Sequence, residues 1–161
     1  MAEQDKNHQD PLIKWVTFRL DSELYGVNVL QVQEVLRATE ITPVPGAPEY
    51  VMGIINLRGN VVTVVDTRKR FELSPRPMDD ASRIIILESD HQVIGILVDS
   101  VAEVVEMRAS EIETAPGVGS EESARYIQGV CSREGELLIL IDLKRLFTEG
   151  EQRELAALPA A

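Results

Sequence analysis

Apolar side chains along this chain fall in short alternating or unbroken β-branched runs, and turn formers interrupt them about every 8–12 residues. Trp15–Leu20 alternates as a strand, and Asp21-Ser22-Glu23 turns the chain back into Leu24–Val29. Val32–Leu36 fits an extended run or a brief helical turn leading into a strand. Thr42-Pro43-Val44-Pro45-Gly46-Ala47-Pro48 breaks any period and predicts a loop or arm, with Pro48 placed to start a short helix through Met52. Arg83–Leu87, Gln92–Val98 and Val101–Met107 read as strands, the first two joined by a turn around Ser89-Asp90-His91. Ala109–Glu113 reads as a helical turn, Pro116–Ser120 as a mobile loop and Glu151–Leu158 as a terminal helix. About ten short strands at this spacing favour small barrels over one open sheet.

The most informative stretch is Gly53–Phe71, GIINLRGNVVTVVDTRKRF. It predicts a strand, a tight turn at Arg58-Gly59-Asn60, a strand Val61–Val65 buried on both faces, and a short basic helix capped by Asp66 or Thr67. The pattern occurs again at Gly129–Phe147, GVCSREGELLILIDLKRLF. Gly53/Gly129, Gly59/Gly135, Asp66/Asp142 and Phe71/Phe147 align without a gap. A second pair, Gly26–Val35 with Gly95–Val104, aligns in the same order. The period is too long for a solenoid repeat, so the chain contains an internal duplication, expected to give two similar half-domains.

Composition narrows the function. With 161 residues the chain can bury a core as one domain or two small lobes. Only 4% of residues are aromatic against 44% hydrophobic, so the core is mostly Val, Ile and Leu. A formal net charge of −11 speaks against nucleic acid and against docking to an anionic membrane. The single cysteine, Cys131, rules out an internal disulfide framework and agrees with a reducing compartment. No apolar run approaches a membrane span, and a soluble cytoplasmic protein is expected. His8 lies in a polar lead and His91 in a predicted turn. No zinc spacing, calcium loop or phosphate loop is present. The chain reads as a binding module, not an enzyme, with no cofactor and no metal.

The run Phe18–Val29 (FRLDSELYGVNV), then Val32-Gln33-Glu34-Val35, then Gly53–Gly59 (GIINLRG), then Val64–Arg68 (VVDTR), resembles the CheW family of bacterial chemotaxis coupling proteins. Ile94–Asp99 matches too, and the resemblance extends from about Trp15 to Phe147. It implies an all-β fold with a few short helices: two SH3-like five-stranded β-barrels side by side, related by a pseudo-two-fold. The expected boundaries are a disordered lead 1–11, a CheW-like domain 12–148, and a helical tail 149–161. Within the domain, subdomain 1 is about 12–72, a linker about 73–81 and subdomain 2 about 82–148.

The resemblance also implies a non-catalytic adaptor that joins chemoreceptor cytoplasmic tips to the regulatory domain of the histidine kinase CheA. Further CheW copies join it in rings, in arrays at the inner face of the membrane. A sibling adaptor of a pilus-motility or surface-sensing pathway is the alternative. Receptor contacts would fall in a groove between barrels on Val29, Val32, Glu34, Gly53, Ile94, Gly95, Val98 and Val101. Kinase contacts would fall on Thr42, Pro43 and Val44 and on Glu113, Gly117 and Val118, where Glu113 and Val118 depart from the family's basic and aromatic residues. Taken alone, Val29, Val32, Val98 and Val101 are ordinary core valines. Gly53 and Gly95 either relieve crowding or admit a helix.

Two expectations follow. A charge at Ile94 or Val98 should weaken receptor binding and spare kinase binding. Glu34 and Arg58, whose equivalents are Glu103 and Glu134, should form an ion pair beside the groove, so Arg58 joins the receptor-binding residues.

Overall fold

A computed structural model describes residues 10–38, 40–89, 92–114 and 125–157. Most of the polar lead with His8, the turn residues Asp90 and His91, and the loop with Gly117 and Val118 lie outside the described residues. The strands are β1 Leu12–Leu20, β2 Glu23–Asn28, β3 Val32–Arg37, β4 Val51–Leu57, β5 Asn60–Asp66, β6 Arg83–Ser89, β7 Gln92–Val98, β8 Ser100–Arg108, β9 Ile127–Arg133 and β10 Glu136–Ile141. Short helices include α1 Thr67–Arg70, α2 Leu143–Leu146 and α3 Glu149–Ala157, and 3-10 turns occupy Val29–Gln31 and Ala109–Glu111.

The repeated hairpins fold alike. Leu57 pairs with Asn60 across Arg58 and Gly59, which take φ of 51° and 88°. Arg133 pairs with Glu136 across Glu134 and Gly135, at 49° and 78°. Both central residues are left-handed, the turn whose twist matches a right-twisted hairpin. Asp66 caps α1 by accepting from Lys69 N at 3.1 Å, and Asp142 caps α2 by accepting from Lys144 N at 3.0 Å. The short helix expected after Pro48 is absent. Val51 N donates to the Pro48 carbonyl at 2.9 Å, closing a turn, and β4 begins at Val51.

The strands form two five-stranded sheets, ordered β8-β1-β2-β10-β9 and β3-β6-β7-β5-β4. Shifting every strand by five converts one order into the other, so the duplication is a true structural repeat. The barrels are not the sequential halves expected at 12–72 and 82–148, however. Each takes two strands from one half and three from the other. The crossing points are short. Val29–Gln31 carries the chain from β2 to β3, and Asp99 alone separates β7 from β8. At each corner the chain passes into the other barrel. What closes each barrel is a parallel pair of distant strands: Gly26 lies opposite Leu140, and Gly95 opposite Val64.

Side chains alternate along these strands between the two cores, which is why Val61–Val65 reads as buried on both faces. Ile84, Ile86, Val62 and Val64 fill the interior of one barrel, while Trp15, Met107, Leu138 and Leu140 fill the other. The intervening residues Ile85, Leu87, Val65, Ile139 and Ile141 point into a single core between the barrels. Most of the protein's few aromatic rings collect in that seam. The repeat extends three residues before Gly53 and Gly129, to Tyr50 and Tyr126, and the pseudo-two-fold exchanges two ring pairs. Tyr50 lies 5.4 Å from Phe147, and Tyr126 5.5 Å from Phe71, between centroids.

Gly53 has a packing reason. A Cβ built there would come 2.2 Å from the Thr42 carbonyl oxygen, because the arm pairs with β4 through Thr42 and Ile54 at 2.8 and 2.9 Å. The second half repeats this through Glu113 and Val130, over Gly129. Gly53→Ala is therefore expected to displace the arm and cost about 1–3 kcal/mol, the usual range for overpacking. Thermal melting checks this; an unchanged Tm would show that the arm gives way freely.

Candidate functional site

Glu34 and Arg58 meet as expected. β3 and β4 are the two edges of their sheet, and the hairpin turn after β4 brings Arg58 across to Glu34 on β3. The contact is two-pronged: Nη1 reaches Oε1 at 3.2 Å, and Nη2 meets Oε2. Arg58 is open to solvent while Glu34 is largely covered, with side chains 69% and 26% exposed. The guanidinium hydrogen bond holds the Glu34 carboxyl below the usual carboxylate range. In the other barrel the equivalent Glu103 is fixed by its backbone, donating to and accepting from the buried Thr17 hydroxyl at 2.9 and 2.6 Å. The like-charged Glu103 and Glu134 thus stand where the first barrel has an ion pair.

The two crossover corners differ more sharply. Asp99, at one, has a side chain only 10% exposed and receives Arg68 at 2.7 Å and Arg76 at 3.1 Å. Arg68 also holds Asp21 at 2.7 Å and the Ser74 carbonyl at 2.8 Å. Burial opposes the charge of Arg68, but the carboxylates of Asp21 and Asp99 outweigh it and raise its pKa. The equivalent of Asp99 at the other corner is Leu30, and it is 89% exposed. Val29 and Val32 beside it are half-buried against the seam, and Val35 is 40% exposed. One corner is sealed by charge; the other presents an apolar rim next to the Glu34–Arg58 pair.

The expected receptor residues separate on this basis. Val29, Val32, Glu34 and Arg58 gather at the rim, and Val101 is half-buried against the seam at the sealed corner. Ile94 and Val98 are 2% and 1% exposed and belong to the seam core. They offer no surface to a partner, which corrects the expectation that they line a cleft. Gly95 faces the barrel interior, where a Cβ would come 2.8 Å from Ile84 Cγ2, and Gly53 is covered by the arm. Neither admits a helix. Leu30 and Val35 were missed because a lone leucine between valines reads as core; its alignment with Asp99 was the available signal.

Of the expected kinase residues, Thr42, Pro43 and Glu113 are exposed and Val44 is half-buried. Thr42 and Glu113 take matching places on the two arms, one per barrel. Cys131 is buried inside a barrel, and burial raises its thiol pKa, with Glu111 adding to the effect. Among the described residues no group of three or more His, Cys, Asp or Glu is placed to hold a metal, and no helix is long and apolar enough to cross a membrane.

A family model for the CheW-like domain matches residues 14–151. The chain belongs to the CheW-like family. A chemotaxis protein CheW of Treponema pallidum is 32% identical over 92% of this chain and 90% of that protein. The crystal structure of the scaffolding protein TtCheW from Thermoanaerobacter tengcongensis superposes with a TM-score of 0.79 at 37% identity, covering 88% of this chain and 91% of that one. Protein FrzA of Myxococcus xanthus, a more distant relative, is 27% identical over 91% of this chain and 92% of its own length. The two five-stranded sheets are the SH3-like barrels of this family, and its scaffolding role is an adaptor's role in chemotaxis.

Proposed function

We propose that this chain couples chemoreceptor cytoplasmic tips to the regulatory domain of the kinase CheA, by protein–protein contact alone, in arrays at the inner face of the membrane. The observation that carries the reading is Leu30. It is 89% exposed at a crossover corner whose equivalent is locked by three charged side chains. An exposed leucine between half-buried valines is a foothold for the apolar stripe of a helix. The neighbouring ion pair supplies a polar edge that fixes the helix's direction. The two exposed arms, one on each barrel, suit the kinase domain and further CheW copies, because a chain that offers like surfaces at both ends can build rings.

The test is Leu30→Asp. Binding to a receptor cytoplasmic fragment should weaken roughly 10- to 100-fold, as for an interface hot spot, while Tm and kinase-domain binding stay unchanged. Unaltered receptor affinity would overturn the reading. The likeness to FrzA favours, as a second reading, an adaptor of a different chemosensory pathway with the same rim but other receptors. Pull-downs against each receptor set of the source organism distinguish the two.

A further inference from the structure

The two crossover corners repeat one frame and part company where a helix would rest. Val32, Glu34 and Val35 at the open corner have Val101, Glu103 and Val104 as their equivalents. Val32 and Val101 are both half-buried against the seam, and Val35 and Val104 are both exposed. Two positions depart: Leu30 becomes Asp99, and Arg58 on the hairpin becomes Glu134. The Asp99 carboxylate accepts from Arg68 at 2.7 Å, from Arg76 at 3.1 Å and from the Asp21 amide at 2.7 Å. Arg76 comes from linker 73–81 between the halves and also meets Asp79 at 3.3 Å. After α2 the chain runs instead into α3. Lys144, the equivalent of Arg68, is exposed, whereas Arg68 is buried among these carboxylates.

Folding alone does not call for this cluster. The equivalent crossing, from β2 to β3, is made with a leucine in that place, and ion pairs taken out of water seldom add stability over apolar side chains. Its effect on a partner is plainer. A helix laid over Asp99 would strip water from Arg76 and Asp79 without offering either a new partner, and burying charge that way is costly. It would also meet the like charges of Glu103 and Glu134 where the open corner offers an ion pair. Selectivity comes from such unfavourable elements as much as from favourable contacts.

We infer that Asp99, held by Arg68 and Arg76, closes the second of two equivalent corners to the receptor helix, so that each chain takes one helix, at Leu30. This closure rests on receptor coupling through Leu30 and fixes its stoichiometry.

The closed corner is opened by Asp99→Leu/Arg76→Ala/Glu134→Arg, which leaves Arg68 its ion pair with Asp21 at 2.7 Å. Calorimetry with a receptor cytoplasmic fragment should give one fragment per chain for the wild type and two for this variant. Placed on Leu30→Asp, the same three changes should raise affinity at least tenfold over Leu30→Asp alone. If Leu30→Asp does not weaken binding, the coupling through Leu30 fails, and the closure with it. If it does, and the folded triple variant still takes one fragment and restores nothing, the closure is overturned while the coupling stands. Should the triple variant not fold, a photo-crosslinking side chain decides in the otherwise wild-type protein, placed at Gln31 or at its equivalent Ser100, both half-buried. The fragment should be captured from position 31 and not from position 100; equal capture from both overturns the closure.

Discussion

Val98→Asp is expected to lose receptor and kinase binding together and to melt well below the parent protein. Val98 is 1% exposed in the core between the barrels. An aspartate there buries a carboxylate among apolar side chains of the core. A buried unpaired charge costs several kcal/mol, even when the group neutralises itself by taking up a proton. Against a net stability of about 5–15 kcal/mol, a loss of about 4 kcal/mol lowers Tm by roughly 10 °C or more in a domain of this size. Ile94→Asp should behave alike. A variant that kept its Tm and kinase binding while losing the receptor would return these residues to the interface and contradict the burial seen here.

The hairpins were legible because Arg58-Gly59 and Glu134-Gly135 are local signals, and the backbone answers them with left-handed turns in both halves. The duplication was legible because glycines, aspartates and phenylalanines recur in register. What local pattern could not reveal was which sheet each strand joins. Val62 and Val65 look alike in the run Val61–Val65, yet one fills a barrel and the other the seam. The exchange of strands between barrels depends on parallel pairing of β5 with β7 and of β10 with β2. Those partners are distant in sequence, and no turn between them records the pairing. The same gap misplaced Ile94 and Val98, since a valine facing a seam and one facing a groove carry the same pattern. Leu30 was overlooked for the converse reason: exposure of an apolar residue is a property of the corner, not of the residue.

The ion pair offers the sharpest test of how the rim recognises its partner. Charge reversal at Arg58 should leave the melting temperature nearly unchanged, because Arg58 is solvent-exposed and exposed pairs add little to folding. Its effect on receptor binding should be much larger. Arg58→Glu places two carboxylates across the barrel edge and strips the rim of its cation, and loss of one member of a charge pair at a desolvated interface weakens binding by roughly one to three orders of magnitude. Glu34→Arg should do similar damage from the other side. The double swap restores an opposite-charge pair with its direction reversed. If the pair acts chiefly by holding the β3 edge and the hairpin together, the double variant should regain most of the receptor affinity. If Arg58 itself meets a polar group on the receptor, the double swap should stay weak while its Tm is normal. Kinase-domain binding, proposed for the arms rather than for the ion pair, should be preserved in all three. Single variants that keep full affinity for the receptor fragment would reduce Arg58 to a turn residue and leave the rim to its apolar side chains, Leu30 and Val35 with the half-buried Val29 and Val32.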